Sequence, residues 1–195
     1  MRVLLAVLLI GIVGCGGEDS PGEGAVPTLE GSQATVDKSP VEETGDDPVT
    51  ALKMLGACIN GDKFYERGEV VEVIFYDNNQ FTDAGLVHLE ELTALQRLWL
   101  EHTQVTDAGL VHLTGLSDLQ ALFLPDRITD AGLVHLKGLG KLQVLDFADS
   151  PITDAGLVHL KGLANLRDLY LHNTQITDAG VADLQKALPN CTISK

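Results

Sequence analysis

Long apolar runs are missing from this sequence, and so are the motifs that usually carry chemistry. Its apolar stretch Val3 to Val13 is too short to cross a bilayer. Bases are few, 13 against 28 acids, for a formal net charge of −15. That balance argues against a nucleic-acid partner and against direct adsorption onto anionic lipid. Aromatic residues make up only 5% of the chain. No nucleophile elbow, phosphate loop, metal-ligand motif or non-periodic acid pair is present. The chain therefore reads as non-catalytic, with no cofactor and no metal site.

What is there begins with an address. Arg2 and the apolar run after it form a secretory leader. The run closes on Ile12-Val13-Gly14-Cys15, which resembles a bacterial lipoprotein box with Cys15 as the lipidated residue. An ordinary signal peptide that happens to contain a cysteine is the alternative. Residues 16–47 then carry nine acids against one base, Lys38, and no aromatics. Such a segment cannot bury enough apolar surface to offset its ordering entropy, so a disordered tether of roughly 30 Å is expected. The expected divisions are a signal peptide at 1–14, the lipidated cysteine and tether at 15–47, and a helical cap at 48–69. Repeats follow at 70–187 and a closing strand at 188–195. This places the protein outside the cytoplasm, membrane-bound through its lipid anchor only.

The folded part is governed by repetition. Thr-Asp-Ala-Gly returns five times, starting at Thr82, Thr106, Thr129, Thr153 and Thr177, at spacings of 24, 23, 24 and 24 residues. A period that regular predicts a stacked solenoid, because one unit cannot bury its apolar face alone. In the copy Leu95 to Leu116, period-2 alternation predicts a strand with Leu98 and Leu100 inward. Helical spacing follows through Ala108, Leu110, Leu113 and Leu116. Thr106 is placed to N-cap the helix, with Asp107 in its first turn. Gly115, Gly138 and Gly162 stand where left-handed C-caps are expected, and Gly109 suggests close approach of neighbouring helices.

The unit L-x-x-L-x-L-x-x-T-x-V-T-D-A-G-L-x-x-L-x-x-L resembles a leucine-rich repeat, in the form found in exported bacterial, internalin-like proteins. The resemblance covers residues 70–193. It implies an α/β fold, a right-handed leucine-rich-repeat solenoid or horseshoe, with a parallel concave sheet and convex helices. The position often held by Asn carries Asn79, Thr103, Ser150 and Thr174, and the third copy is one residue short at Leu124 to Ile128. Six parallel strands are expected, the last being Leu188 to Ile193 with Cys191 in an inward slot. Cys58 and Cys191 would then lie roughly 24 Å apart, so no internal disulfide is expected.

A site is sought on the outward residues of the strands. The residue between the two inward leucine positions of each strand reads Phe75, Trp99, Phe123, Asp146 and Tyr170 up the ladder. It is flanked by Val73, Arg97, Ala121, Val144 and Asp168, and by Asp77, Glu101, Pro125, Ala148 and His172. Trp, Tyr and Arg dominate interface hot spots, although strands favour aromatics for cross-strand packing as well. The binding residues expected are Phe75, Arg97, Trp99, Glu101, Phe123, Asp146, Asp168, Tyr170 and His172. The expected partner is a protein, with a glycan or wall polymer as the alternative and a purely architectural envelope role as a third reading. His88, His112, His135 and His159 recur at one helix position, which repeat copying explains without a metal.

Overall fold

A computed structural model of the chain describes residues 47–59, 70–75 and 78–195. The signal peptide, Cys15, the tether before residue 47 and Asp77 lie outside them. Helix α1 (Pro48–Met54) opens the fold. Asp47 caps it, its carboxylate accepting the Thr50 N–H at 2.9 Å, and Gly56 at φ 87° turns the chain out of it. One sheet follows, of strands β1 (Cys58–Ile59), β2 (Glu72–Ile74), β3 (Arg97–Trp99), β4 (Ala121–Phe123), β5 (Val144–Asp146), β6 (Asp168–Tyr170) and β7 (Thr192–Ser194). They stand in chain order and the sheet is open. Strands β2 to β7 pair in parallel, as repetition demands, while β1 pairs antiparallel with β2. That seventh strand carries no period and covers an edge that would otherwise invite pairing.

The core is a stack of leucine layers. Leu98, Leu122, Leu145 and Leu169 point inward from successive strands, fully buried. Leu110, Leu113, Leu133, Leu136 and Leu160 meet them from the connecting segments. Those segments are tighter than expected. Three are 3-10 helices (Asp83–Leu89, Gly109–Leu113 and Gly132–Leu136), followed by the single α turn α2 (Asp154–Leu157) and the ten-residue helix α3 (Asp178–Ala187). A 24-residue repeat leaves little chain for a crossover, and 3-10 geometry rises further per residue.

The Thr-Asp-Ala-Gly phrase works between copies rather than within one. Asp83 accepts both the backbone N–H and the hydroxyl of Thr106. Asp107 does the same for Thr129, Asp130 for Thr153 and Asp154 for Thr177, all at 2.5 to 2.9 Å. The last carboxylate, Asp178, has no following threonine and takes the Lys195 ammonium at 2.6 Å. The glycines are explained by the same ladder: a Cβ at Gly109, Gly132, Gly156 or Gly180 would collide with the preceding copy's carboxylate. Close approach was the right reason for them, with a side chain rather than a helix as the neighbour. Thr153 and Thr177 also accept a backbone N–H as N-caps, whereas Thr106 makes no such bond.

Three further expectations are corrected. Among the described residues the left-handed ones of the repeats are His102, Asp149 and Asn173, in the turns after β3, β5 and β6; Gly115, Gly138 and Gly162 are not left-handed. The third copy's missing residue falls in that turn. Cys58 is disulfide-bonded, its partner lying outside the described residues, while Cys191 is free and buried. Strand spacing keeps Cys58 from Cys191 but does not bar Cys58 from another bond. At the C-terminal end Ile193, rather than Cys191, pairs with Leu169. The two-residue offset preserves the face, so Cys191 is still buried, and its thiol is pushed up to about 11, chiefly by burial. The six parallel strands expected are β2 to β7, and antiparallel β1 is an addition to them.

Candidate binding face

The open face of the sheet presents rows of outward side chains whose order follows from register. The central row reads Ile74, Trp99, Phe123, Asp146, Tyr170 and Ser194. The row beside it reads Glu72, Arg97, Ala121, Val144, Asp168 and Thr192. Phe75 and Val73 therefore belong to neither; both are buried, and Phe75 stacks on Phe81 at a centroid distance of 3.7 Å. The first copy has one residue more between its strand and Thr82 than the second has before Thr106. A shift of one residue exchanges the faces of a strand. Ile74 and Glu72, missed by alignment on the Thr-Asp phrase, take the two places.

From the second copy onward the expected residues are where the period puts them. Trp99 and Phe123 are half-buried and stack with centroids 5.0 Å apart and planes within 5°. That separation matches the strand spacing of ~4.8 Å, so register alone builds the flat pair. Arg97 is held by Glu72, Nε to Oε1 at 2.8 Å. Tyr170 lies beside Asp146 on the next strand, and its ring tilts toward His172 at 6.5 Å. Glu101 and His172 are exposed at the rim, and Asp168 is half-buried beside β5 and β7.

The acidic half of this face has unusual electrostatics. Burial pushes the Asp146 carboxyl above its ordinary value, against the pull of the Ala148 N–H at 2.9 Å and of nearby His172. Burial again, then the carboxylates of Asp168 and Asp146, push the Tyr170 phenol upward. On the helical side, His112 Nδ1 lies 2.6 Å from Glu90, and His159 Nδ1 is buried with no hydrogen-bond partner among the described residues. No group of three candidate metal ligands gathers among the described residues. A cleft of about 280 Å³ lies between α2 and α3, bridged by the Lys161–Asp183 ion pair at 2.6 Å.

Comparison with known proteins gives one family match and several structural likenesses. Residues 141–160 match the family model described as Leucine Rich repeat. No curated protein matches the chain. Among solved structures, an internalin from Listeria monocytogenes is 23% identical with a TM-score of 0.46, covering 56% of this chain and 31% of its own. A leucine-rich-repeat protein from Leptospira interrogans is 24% identical with a TM-score of 0.45, covering 56% of this chain and 27% of its own. The leucine-rich-repeat ectodomain of a receptor kinase from Arabidopsis thaliana is 18% identical, TM-score 0.45, over 76% of this chain and 90% of its own. This chain thus spans about a third or less of the two bacterial proteins. Period, parallel register and the family match together make the repeat region a leucine-rich-repeat solenoid.

Proposed function

We propose that the protein is a non-catalytic interaction module of the cell envelope, which binds a protein partner through the open face of its sheet. The observation that carries this reading is the stacked, half-exposed Trp99–Phe123 pair, with Tyr170 two strands from Phe123. The sheet is held by its buried leucines, so these rings are surplus to the core in a chain that is poor in aromatics. Large rings on a rigid ladder are the usual anchors of an interface. The test is capture from envelope extract by the exported full chain, beside a Trp99→Ala/Tyr170→Ala double variant of matched thermal midpoint. A protein held by the parent and lost by the variant is the expected outcome; equal capture moves binding off this face.

A glycan or wall polymer is the second reading, because a stacked ring pair also offers a platform to a sugar ring. Competition for the captured partner by soluble wall glycan supports it over the first. A lipid anchor on Cys15 is a separate proposal, and the Cys58 disulfide stands against it, since with Cys191 free Cys15 is the remaining cysteine of the sequence. It requires the Cys15 sulfur in a thioether, and one sulfur cannot also sit in a disulfide. Mass spectrometry that found Cys15 joined to Cys58 in the exported chain would remove the anchor.

A further inference from the structure

The central row of the open face changes character at its middle. Trp99 and Phe123 stack, and then Asp146 stands in register between Phe123 and Tyr170. Asp168, two residues before Tyr170 on β6, faces the same side. The contrast with the far end of the sheet is informative. There Glu72 is matched by Arg97 at 2.8 Å, whereas among the described residues no lysine or arginine forms an ion pair with Asp146 or Asp168. Asp146 is also partly withdrawn from water, with Oδ1 held by the Ala148 N–H.

A partly desolvated carboxylate set beside aromatic rings has a definite complement. The group must be cationic to match the charge and flat to lie against the rings. A guanidinium is both: it forks onto a carboxylate, stacks on aromatic faces and sheds water more readily than an ammonium. We propose that an arginine side chain presented by a protein partner seats on Asp146 between Phe123 and Tyr170, with Asp168 as the second acidic contact. This rests on the open-face reading above and names the chemistry of the partner, a basic protein segment. The chain's net charge of −15 would draw such a segment in from a distance.

Trp99 is the single tryptophan of the chain and stacks directly on Phe123, so its fluorescence reports this site. The probes are a capped, glycine-flanked arginine peptide and its citrulline twin, alike in shape but uncharged. Each is titrated into the full chain and into Asp146→Asn. Asparagine keeps an oxygen for the Ala148 N–H, and matched circular dichroism and thermal midpoints check the fold. A saturable Trp99 response to the arginine peptide is expected, about tenfold or more weaker for the citrulline twin and for the variant. The variant changes the net charge only from −15 to −14, so diffuse attraction stays nearly constant. Equal response to citrulline, undiminished binding by Asp146→Asn, or no saturation by about 10 mM peptide overturns the proposal. A captured partner that Asp146→Asn retains and Trp99→Ala/Tyr170→Ala loses would leave open-face binding standing and remove the arginine contact alone.

Discussion

Two rows of side chains run the length of the repeats, and they differ in what repetition does to them. Along the crossover side, Asp83, Asp107, Asp130 and Asp154 each clasp the threonine of the next copy in the same two-bonded way. Along the open face the central row runs Ile74, Trp99, Phe123, Asp146, Tyr170, with a different residue at every step. Sameness in the first row is explained by the joint that each copy must make with the next. The second row makes no joint, and the sheet stands on leucines behind it. In a solenoid of this kind the repeated residues report the architecture, and outward positions that escape repetition are where recognition can be written.

The sharpest way to break that comparison is to cut the ladder once. Asp107→Ala removes two bonds from Thr129 to a charged, half-buried acceptor. Such bonds contribute about 1.5–3 kcal/mol each before water recovers part, so about 2–4 kcal/mol of stability should be lost in urea unfolding. A loss under about 1 kcal/mol would mean that the ladder is ornamental. Gly132→Ala attacks the same joint from the other side, where its Cβ would strike the Asp107 carboxylate and Ile128. About 1–3 kcal/mol is expected from that overpacking. Gly162→Ala is the control. Its Cβ meets nothing within 4 Å, so the change should be neutral or stabilising by about 0.4–1 kcal/mol. Equal effects at Gly132 and Gly162 would dissolve the distinction.

Much of this was legible in the sequence, and what was not has physical causes. Period and alternation identified the solenoid and the buried leucines, because both depend on spacing within one copy. The partner of each aspartate is in the next copy, so a reading of Asp107 inside its own helix gave it to the helix dipole. The outward row was readable from Trp99 onward, where each outward residue directly follows an inward leucine (Leu98, Leu122, Leu145 and Leu169). In the first copy one extra turn residue moved Phe75 into the core and brought out Ile74. Strand β1 carries no period at all, and the Cys58 bond could not be inferred from the repeat.

The open face is tested by the opposite expectation, large effects on binding with small ones on folding. Trp99→Ala loses one ring stack on a half-exposed surface. It should cost about 1 kcal/mol or less, well below Asp107→Ala in the same unfolding experiment. A loss as large as the ladder's would make the ring pair a structural joint too and weaken the interaction reading.

The smallest effects separate the two rows by sign alone. In the ladder, the Thr177 hydroxyl, then its N–H, hold the Asp154 carboxyl below its ordinary value. The native state then takes up that proton later than the unfolded chain. Its stabilisation is complete above the unfolded carboxylate pKa of about 3.9 and is lost as pH falls through the folded value. On the open face burial raises the Asp146 carboxyl, so the native state takes up that proton earlier. Its relative stability is greatest below about pH 3.9 and is lost as pH rises through the raised value. Thermal midpoints from about pH 3 to about pH 7 should therefore move the two asparagine variants oppositely against the parent. Asp154→Asn should be the less stable at neutral pH, with the gap closing below about pH 4. Asp146→Asn should match or exceed the parent at neutral pH, because the parent alone buries a charge there, and that gap too should close toward low pH. Shifts of the same sense in both variants would show that the two carboxylates, one a joint and the other a site, feel the fold alike.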